Sequence, residues 1–386
     1  MINNKPEITF TFPAVMGGVS SFNFNIINNS LLLKNFHSKV ILMKPKNENR
    51  PLFREKFLVD EQIVFEYGDN ENQFHLQKRL NDLLGNIEGA IVTDNGLTVE
   101  AARRFNNPKI VFSLVHDYYY VNQQVKLFDW SDIVIAHSSF FSDAVFASNP
   151  EMYAERALYI PYGVKQLDVM PDKNKETLNL VFLGRLEEGK GVLKLIDIQN
   201  KLQEKNIVVN WTIIGKGSLK EILNEQWKNE RVVFYEPDTT EEVYEILKTQ
   251  DLFVFPTTFE GTPVAILETM ACGVVTIVND LPGGIRDLIN ENTGFRIKNN
   301  TIQEFTNRII ELEENRLLLH QMQQNCFDIC RSNYDVKINS DKYVGLFLKY
   351  KLLARSQKSQ VKKLQKLDIP FFPNWFTTAV RKIKSR

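Results

Sequence analysis

Three cysteines are all that this chain of 386 residues holds: Cys272, Cys326 and Cys330. So few exclude a disulfide framework and suit a reducing compartment. Cys326 and Cys330 stand four apart in a helical stretch, with no set of His or Cys partners around them. That spacing predicts a buried helix face rather than a metal site. Long apolar runs are missing as well. No stretch approaches the ~18–20 apolar residues that a bilayer-spanning helix needs. The N-terminal MINNKPEITFTF has neither a basic n-region nor an apolar h-region, so no secretory signal is expected. These absences point to the cytoplasm, with a peripheral place on the inner face of the cell membrane kept open. Net charge is lacking too, because 47 Lys and Arg balance 47 Asp and Glu. That balance gives no nucleic-acid signal, and none is expected as a partner.

What the chain does have is the composition of a globular protein, 43% hydrophobic and 24% charged, at a length that suits two domains. Short β-branched runs alternate with helical patterns: EITFTF, KVILM, IVFEY, AIVT, KIVFSLV and DIVIA in the first half. A polar stretch with Pro171, KQLDVMPDKNKET, reads as a linker. A second series follows: LNLVFLG, VVNWTIIG, RVVFY, LFVFP, VVTIV and GFRI. This is the rhythm of covered parallel sheets. Two Rossmann-like halves in succession make a cleft between them the expected ligand site.

Three stretches carry chemistry. In TTFEGTPVAILETMACG, Thr262 is suited to cap a helix, Pro263 to open it and Gly273 to stop it. Glu260 then precedes the helix and Glu268 lies inside it. Eight helical steps span ~12 Å, more than the ~5–9.5 Å between the two carboxyls of a glycosidase. The pair fits two separate contacts on one extended polar ligand. The plainer reading makes Glu260 a solvated loop residue and Glu268 a helix-surface one. FLGRLEEGKGV sets Arg185 and Lys190 after a strand, among glycines that allow close backbone approach, and two such cations suit a diphosphate. IIGKGSLKEI adds Gly215 and Gly217 at another strand-to-helix turn. Near the N-terminus, MGGVSSF puts Gly17 and Gly18 between a strand and a helix.

In this order, G-R-x4-K-G, I-x-G-x-G, E-G-T-P-x4-E-T-M-A-C-G and the early G-G-V-S resemble the retaining glycosyltransferases of family 4. SDIVIAHSSF, YIPYGV and PGGIRDLINENTGFRI match further landmarks of that family, and the likeness runs from about Ile8 to Tyr350. The resemblance implies an α/β GT-B fold: two Rossmann-like parallel-sheet domains facing a cleft, with a C-terminal helix returning to the first. It implies an acceptor-binding domain over 1–165, a nucleotide-sugar-binding domain over 166–335, and a crossover helix with a basic, aromatic tail over 336–386. By resemblance, Arg185, Lys190 and Gly18 hold the donor diphosphate. Glu260, Gly261, Thr262, Pro263 and Val264 hold the transferred sugar. Glu268, Gly215, Gly217 and Tyr235 meet the nucleoside. Glu260 and His116 are the expected catalytic pair, and Gly17, Asp117 and His137 are acceptor candidates. No cofactor beyond the sugar nucleotide as co-substrate and no bound divalent metal are expected, since the Arg/Lys pair and helix N-termini neutralise a leaving diphosphate.

The implied activity moves a hexosyl or N-acetylhexosaminyl group from a nucleoside diphosphate sugar, UDP favoured, to a hydroxyl of a surface glycan or lipid-linked saccharide. The alternatives are a sugar-nucleotide epimerase or phosphorylase of the same fold, and a non-catalytic glycan-binding or scaffold subunit. Three positions depart from the family pattern: Tyr162 stands where Asn is usual, Glu236 where Gly is common and Arg286 where Pro is common. The last of these has no explanation in the sequence.

The tail from Lys349 holds a single acid, Asp368. Its cations include Lys362, Lys363, Lys366, Arg381, Lys382, Lys384 and Arg386, interrupted by Phe371, Phe372, Trp375 and Phe376. Such a segment suits an anionic membrane surface, at ~1 kcal/mol for each cation near it. The other expectation is that it folds back on the first domain.

Overall fold

The computed structural model describes residues 5–116, 130–148, 150, 156–173, 176–353 and 363–384. The chain divides into two units. The first comprises Met1–His137, Phe141–Ile160 and Lys337–Arg386, and the second Ser138–Phe140 and Pro161–Val336.

Seven strands build the sheet of the first unit among the described residues: β1 (Glu7–Pro13), β2 (His37–Pro45), β3 (Glu61–Tyr67), β4 (Gly89–Thr93), β5 (Ile110–Val115), β6 (Ile133–Ala136) and β7 (Ala157–Tyr159). They lie in the order β3-β2-β1-β4-β5-β6-β7, and every pairing is parallel. The central strands are buried on both faces, as Phe10, Val92 and Phe112 on one and Ile41, Ile91 and Val111 on the other show. Burial on both sides explains their near-continuous apolar sequences. The helices here are α1 (Gly18–Asn29), α2 (Gln73–Leu84), α3 (Gly96–Arg104) and α4 (Ser139–Ser148). Asn72 and Asn95 cap α2 and α3 by accepting from the amides of Phe74 and Leu97.

The second unit repeats the plan with β8 (Leu178–Leu183), β9 (Val209–Ile214), β10 (Val232–Tyr235), β11 (Leu252–Phe255), β12 (Val275–Asn279) and β13 (Gly294–Ile297). Their order is β10-β9-β8-β11-β12-β13, again all parallel. Its helices are α5 (Lys194–Glu204), α6 (Lys220–Gln226), α7 (Thr240–Leu247), α8 (Val264–Ala271), α9 (Ile285–Leu288), α10 (Ile302–Glu314) and α11 (Arg316–Asn333). In each sheet the strand order reverses beside the first strand, at β1/β4 and at β8/β11. Ligands of open α/β sheets sit at the carboxyl ends of strands flanking such a reversal. Cys326 and Cys330 are fully buried on α11, as their spacing predicts, and burial pushes the Cys330 thiol up to about 12.

Two further helices, α12 (Val336–Phe347) and α13 (Asn374–Lys384), complete the chain. The chain returns to the first unit through α12. Phe347 meets the rings of Phe112 and Phe10 at 4.8 and 6.1 Å, and the Ser340 hydroxyl donates to the Asn25 carbonyl at 3.1 Å. Residues 363–384 also lie against the first unit, at the N-terminus of α2. The tail cations Lys362 and Arg386 fall outside the described residues. Among those residues, no helix is long and apolar enough to cross a membrane.

Candidate functional site

The second unit gathers its polar residues at the carboxyl ends of β8, β9, β11 and β12. Backbone hydrogen bonds fasten the loops there to one another. Gly184 donates to the Ile214 carbonyl at 3.0 Å, and Leu186 to that of Lys216 at 2.9 Å. Arg185 sits between these two contacts. The G-x-G glycines make this approach possible, because a Cβ at Gly215 would lie 1.9 Å from the Gly184 oxygen and one at Gly217 2.4 Å from that of Leu186. Gly191 does the same for the next loop. It is left-handed at φ +69, and a Cβ there would lie 2.1 Å from the Pro256 oxygen. The Thr258 amide donates to the Gly189 carbonyl at 3.0 Å. The turn carrying Lys190 is thereby fixed to the loop carrying Glu260.

The outcome is an ion pair between Lys190 Nζ and Glu260 Oε1. Thr257 Oγ1 donates to the same carboxylate oxygen at 3.2 Å. Glu260 is only 8% exposed. Burial raises its carboxyl above the usual range, and Lys190 pulls the other way. Lys190 also lies 5.8 Å from the centroid of the Phe255 ring. Arg185 is exposed and pairs with Glu187 at 2.7 Å.

The E-G-T-P segment differs from expectation in one respect. Helix α8 starts at Val264, and Pro263 occupies the N-cap in an extended conformation, with no side chain capping. Thr262 is therefore not the cap. Its Oγ1 is buried without a hydrogen-bond partner among the described residues. The Gly284 amide donates to the Gly261 carbonyl at 3.0 Å, and a Cβ at Gly284 would meet Thr262 Oγ1 at 2.9 Å. The hydrogen bond at Gly261 ties this segment to the Gly284 loop, where only glycine fits beside Thr262. Only the last part of the path from Glu260 to Glu268 is helical, so the all-helical ~12 Å span does not apply. Glu268 is half-buried on α8, and Tyr235 is 43% exposed at the end of the edge strand β10.

Residues 166–327 match the family model described as "Glycosyl transferases group 1". The match lies within the second unit. The matched segment contains every site residue expected in the second unit. Among relatives, the chain is similar to the Escherichia coli UDP-Gal:alpha-D-GlcNAc-diphosphoundecaprenol alpha-1,3-galactosyltransferase, with 27% identity over 51% of this chain and 56% of that one. It is also similar to the Campylobacter jejuni N,N'-diacetylbacillosaminyl-diphospho-undecaprenol alpha-1,3-N-acetylgalactosaminyltransferase, with 26% identity over 41% of each. The chain spans about half the length of the curated relatives it matches. In fold it resembles Anabaena HepE, solved in complex with UDP and glucose. That likeness has a TM-score of 0.68 and 16% identity, covering 89% of this chain and 99% of the other. The GT-B fold class read from the motifs is the one observed.

In the first unit, α1 begins at Gly18 after Gly17, and no side chain caps it. Its first amides are thus left to other acceptors. Beneath that helix, His116 and His137 pack in a buried aromatic cluster. Their ring centroids are 4.7 Å apart, and each meets Phe22, at 5.1 and 4.6 Å. Burial lowers the His116 pKa to about 3 and that of His137 well below its ordinary value. Tyr343 of α12 donates to the Ile160 carbonyl and so accepts from His137 Nδ1 at 2.7 Å. Asp117 lies outside the described residues.

Two departures from the family pattern acquire partners. Glu236 pairs with Lys220 and lies 3.9 Å from Lys216 of the G-x-G loop. Arg286 faces both oxygens of Asp280, at 3.1 and 3.4 Å. Tyr162 is buried. Sequence reasoning missed Thr257 and Asn279. Asn279 Nδ2 donates to the Thr257 carbonyl at 2.6 Å, which positions the hydroxyl that serves Glu260. A threonine two residues past the strand, just before E-G-T-P, was the available signal.

Proposed function

We propose that the protein transfers a hexosyl or N-acetylhexosaminyl group, with retention, from a UDP-sugar to a hydroxyl of a lipid-linked saccharide or surface glycan. The observation that carries this reading is the Lys190–Glu260 pair at the β8/β11 reversal, with Arg185 beside it. Two cations and a carboxylate at one strand-end crevice suit a diphosphate joined to a sugar. The relatives' undecaprenol-diphosphate acceptors support a lipid-linked acceptor, and the UDP held by the fold neighbour supports the base.

Donor binding exchanges partners. The diphosphate takes Lys190 from Glu260 and Arg185 from Glu187. Glu260 then turns to the sugar hydroxyls, with the backbone of Gly261 and Thr262 and the first amide of α8 at Val264. Glu268 holds the ribose, while Gly215, Gly217 and Tyr235 lie toward the base. The acceptor oxygen attacks the anomeric carbon on the face that the phosphate leaves, and the departing phosphate oxygen takes the acceptor's proton. Arg185 and Lys190 stabilise the charge left on the diphosphate, so no bound metal is required. His116, neutral at physiological pH, hydrogen-bonds the sugar. By the family resemblance, Gly17, Asp117 and His137 serve the acceptor. The protein works at the cytoplasmic face of the membrane, where its basic tail meets anionic lipid.

Thermal-shift measurements with UDP, GDP, ADP and CMP test the donor, because a ligand stabilises by RT ln(1 + [L]/Kd). UDP is expected to raise Tm most, and slow hydrolysis of a UDP-hexose to the unaltered sugar is expected. E260Q should retain the UDP shift and lose roughly 10²-fold or more in turnover. A flat response to all four nucleotides would leave a binding or scaffold role, and release of a different sugar an epimerase.

A further inference from the structure

Helix α13 is mounted inside out. Its polar residues face the first unit. The Asn374 side-chain amide donates to Glu71 Oε2 at 3.2 Å, and its Oδ1 accepts from the Asn72 amide at 2.7 Å. Thr377 is fully buried and donates to the Leu367 carbonyl at 2.9 Å. Thr378 donates to the Asn70 carbonyl at 3.3 Å. Arg381 pairs with buried Asp368 at 2.8 Å and donates to the Glu71 carbonyl at 2.6 Å. These positions recur every three to four residues and so mark one helix face. The apolar residues stand on the other. Trp375 is 72% exposed, Ile383 74% and Phe371, just before the helix, 87%. Trp375, Ala379 and Ile383 are spaced i, i+4, i+8, and Ala379 is exposed as well.

We propose that this stripe is a lipid-inserting face, by which the first unit rests on an anionic bilayer with Trp375, Ile383 and Phe371 among the acyl chains. The inference rests on the reading that the acceptor is lipid-linked, and it adds the residues and the mode of attachment. Charge selects the occupant. Residues 363–384 hold five cations and one acid, and that acid, Asp368, is buried against Arg381. Exposed Lys363, Lys366 and Lys382 accompany the apolar stripe. Size points the same way. Eight helical steps span ~12 Å, and a stripe one side chain wide falls short of the ~800 Å² per partner of a stable protein interface. It suffices for an interfacial helix, which buries its apolar face ~5–10 Å deep. The polar attachment to α2 holds the stripe outward and fixes its orientation to the sheet beneath.

The test is co-sedimentation of the full chain with vesicles of equal parts phosphatidylcholine and phosphatidylglycerol, at low and high salt. Wild type is expected to bind and to keep part of that binding at high salt. W375S/I383S changes two exposed positions and is expected to lose at least tenfold in partition coefficient, with an unchanged thermal response to UDP. K366E/K382E should bind less at low salt only. Equal partition of W375S/I383S and wild type would overturn the proposal. So would a wild-type dimer that this variant abolishes, since the stripe would then cover a second copy. The donor reading fails separately, in the UDP response.

Discussion

Glu260 and Lys190 determine each other's state. A carboxylate only 8% exposed keeps its charge because an ammonium stands beside it, and removing that ammonium leaves it unpaired. K190M is expected to lower stability by about 1–3 kcal/mol at neutral pH, read as a shift in the urea midpoint. The pH dependence follows from the direction of the Glu260 shift. Its folded pKa lies above the ordinary 4.5, so the folded chain holds the proton more tightly than the unfolded one. The corresponding stability is present below 4.5 and is lost as pH rises through the folded value. K190M should extend that loss to higher pH. K190M/E260Q should abolish the extension and recover part of the midpoint, and a variant pair with equal pH slopes would contradict this account. The cations themselves are legible in the sequence, because glycines and charges cluster after a strand. Their partners are not. Lys190 and Glu260 are 70 residues apart, and no local pattern joins them.

At the scale of elements, turn chemistry was readable where it acts over a few residues. Asn72 and Asn95 cap their helices through such contacts. Thr262 does not, because the helix starts one residue later, with Pro263 at the N-cap. Strand β7 has three residues and is half-exposed, too short to leave a periodic signal. Asn72 shows how one side chain serves both levels. Its Oδ1 caps α2 by accepting from the Phe74 amide at 3.0 Å, while Nδ2 donates to the Phe372 and Leu367 carbonyls at 2.9 and 3.1 Å. N72A should cost about 1 kcal/mol or more for the cap and also release the tail. N72D keeps the cap and loses the donor. Limited proteolysis is expected to cut both variants faster than wild type between 363 and 384, while helix α2 keeps its amide-exchange protection only in N72D. Tail cleavage at the wild-type rate in both would show that Asn72 does not hold the tail.

For the whole molecule, the two units differ in their response to acid. His116 and His137 stay neutral in the first unit, His116 with a pKa near 3 against an ordinary 6.5. The unfolded chain takes up these protons below 6.5 and the folded chain does not. The two histidines therefore lower stability as pH drops from 6.5 toward 3, by at most about 1.4 kcal/mol per pH unit each, while buried Asp94, pushed up to about 7, offsets part of this down to its ordinary 3.8. Urea midpoints at pH 7.5 and 5.5 should show this decline, with a smaller slope in H116Q. Limited proteolysis at pH 5.5 should cut the first unit before the second. An identical slope in H116Q would assign the acid sensitivity to other groups.

The sequence by itself determined the alternation of strand and helix, the two-unit plan, the parallel sheets and the loops that carry charge. These follow from periodicity, burial and glycine placement acting within a few residues. Only the tertiary structure decided which loops meet and which way the last helix faces. It joined Lys190 to Glu260, placed Tyr343 on His137 and gave Arg286 its Asp280. It also turned the apolar side of α13 outward, since Asn72, Glu71 and Asp368 offer that helix better partners for its polar side than water does. Contacts of this kind span from six to about 300 residues. They depend on strand order and on buried charges seeking the nearest opposite charge, neither of which a local pattern records.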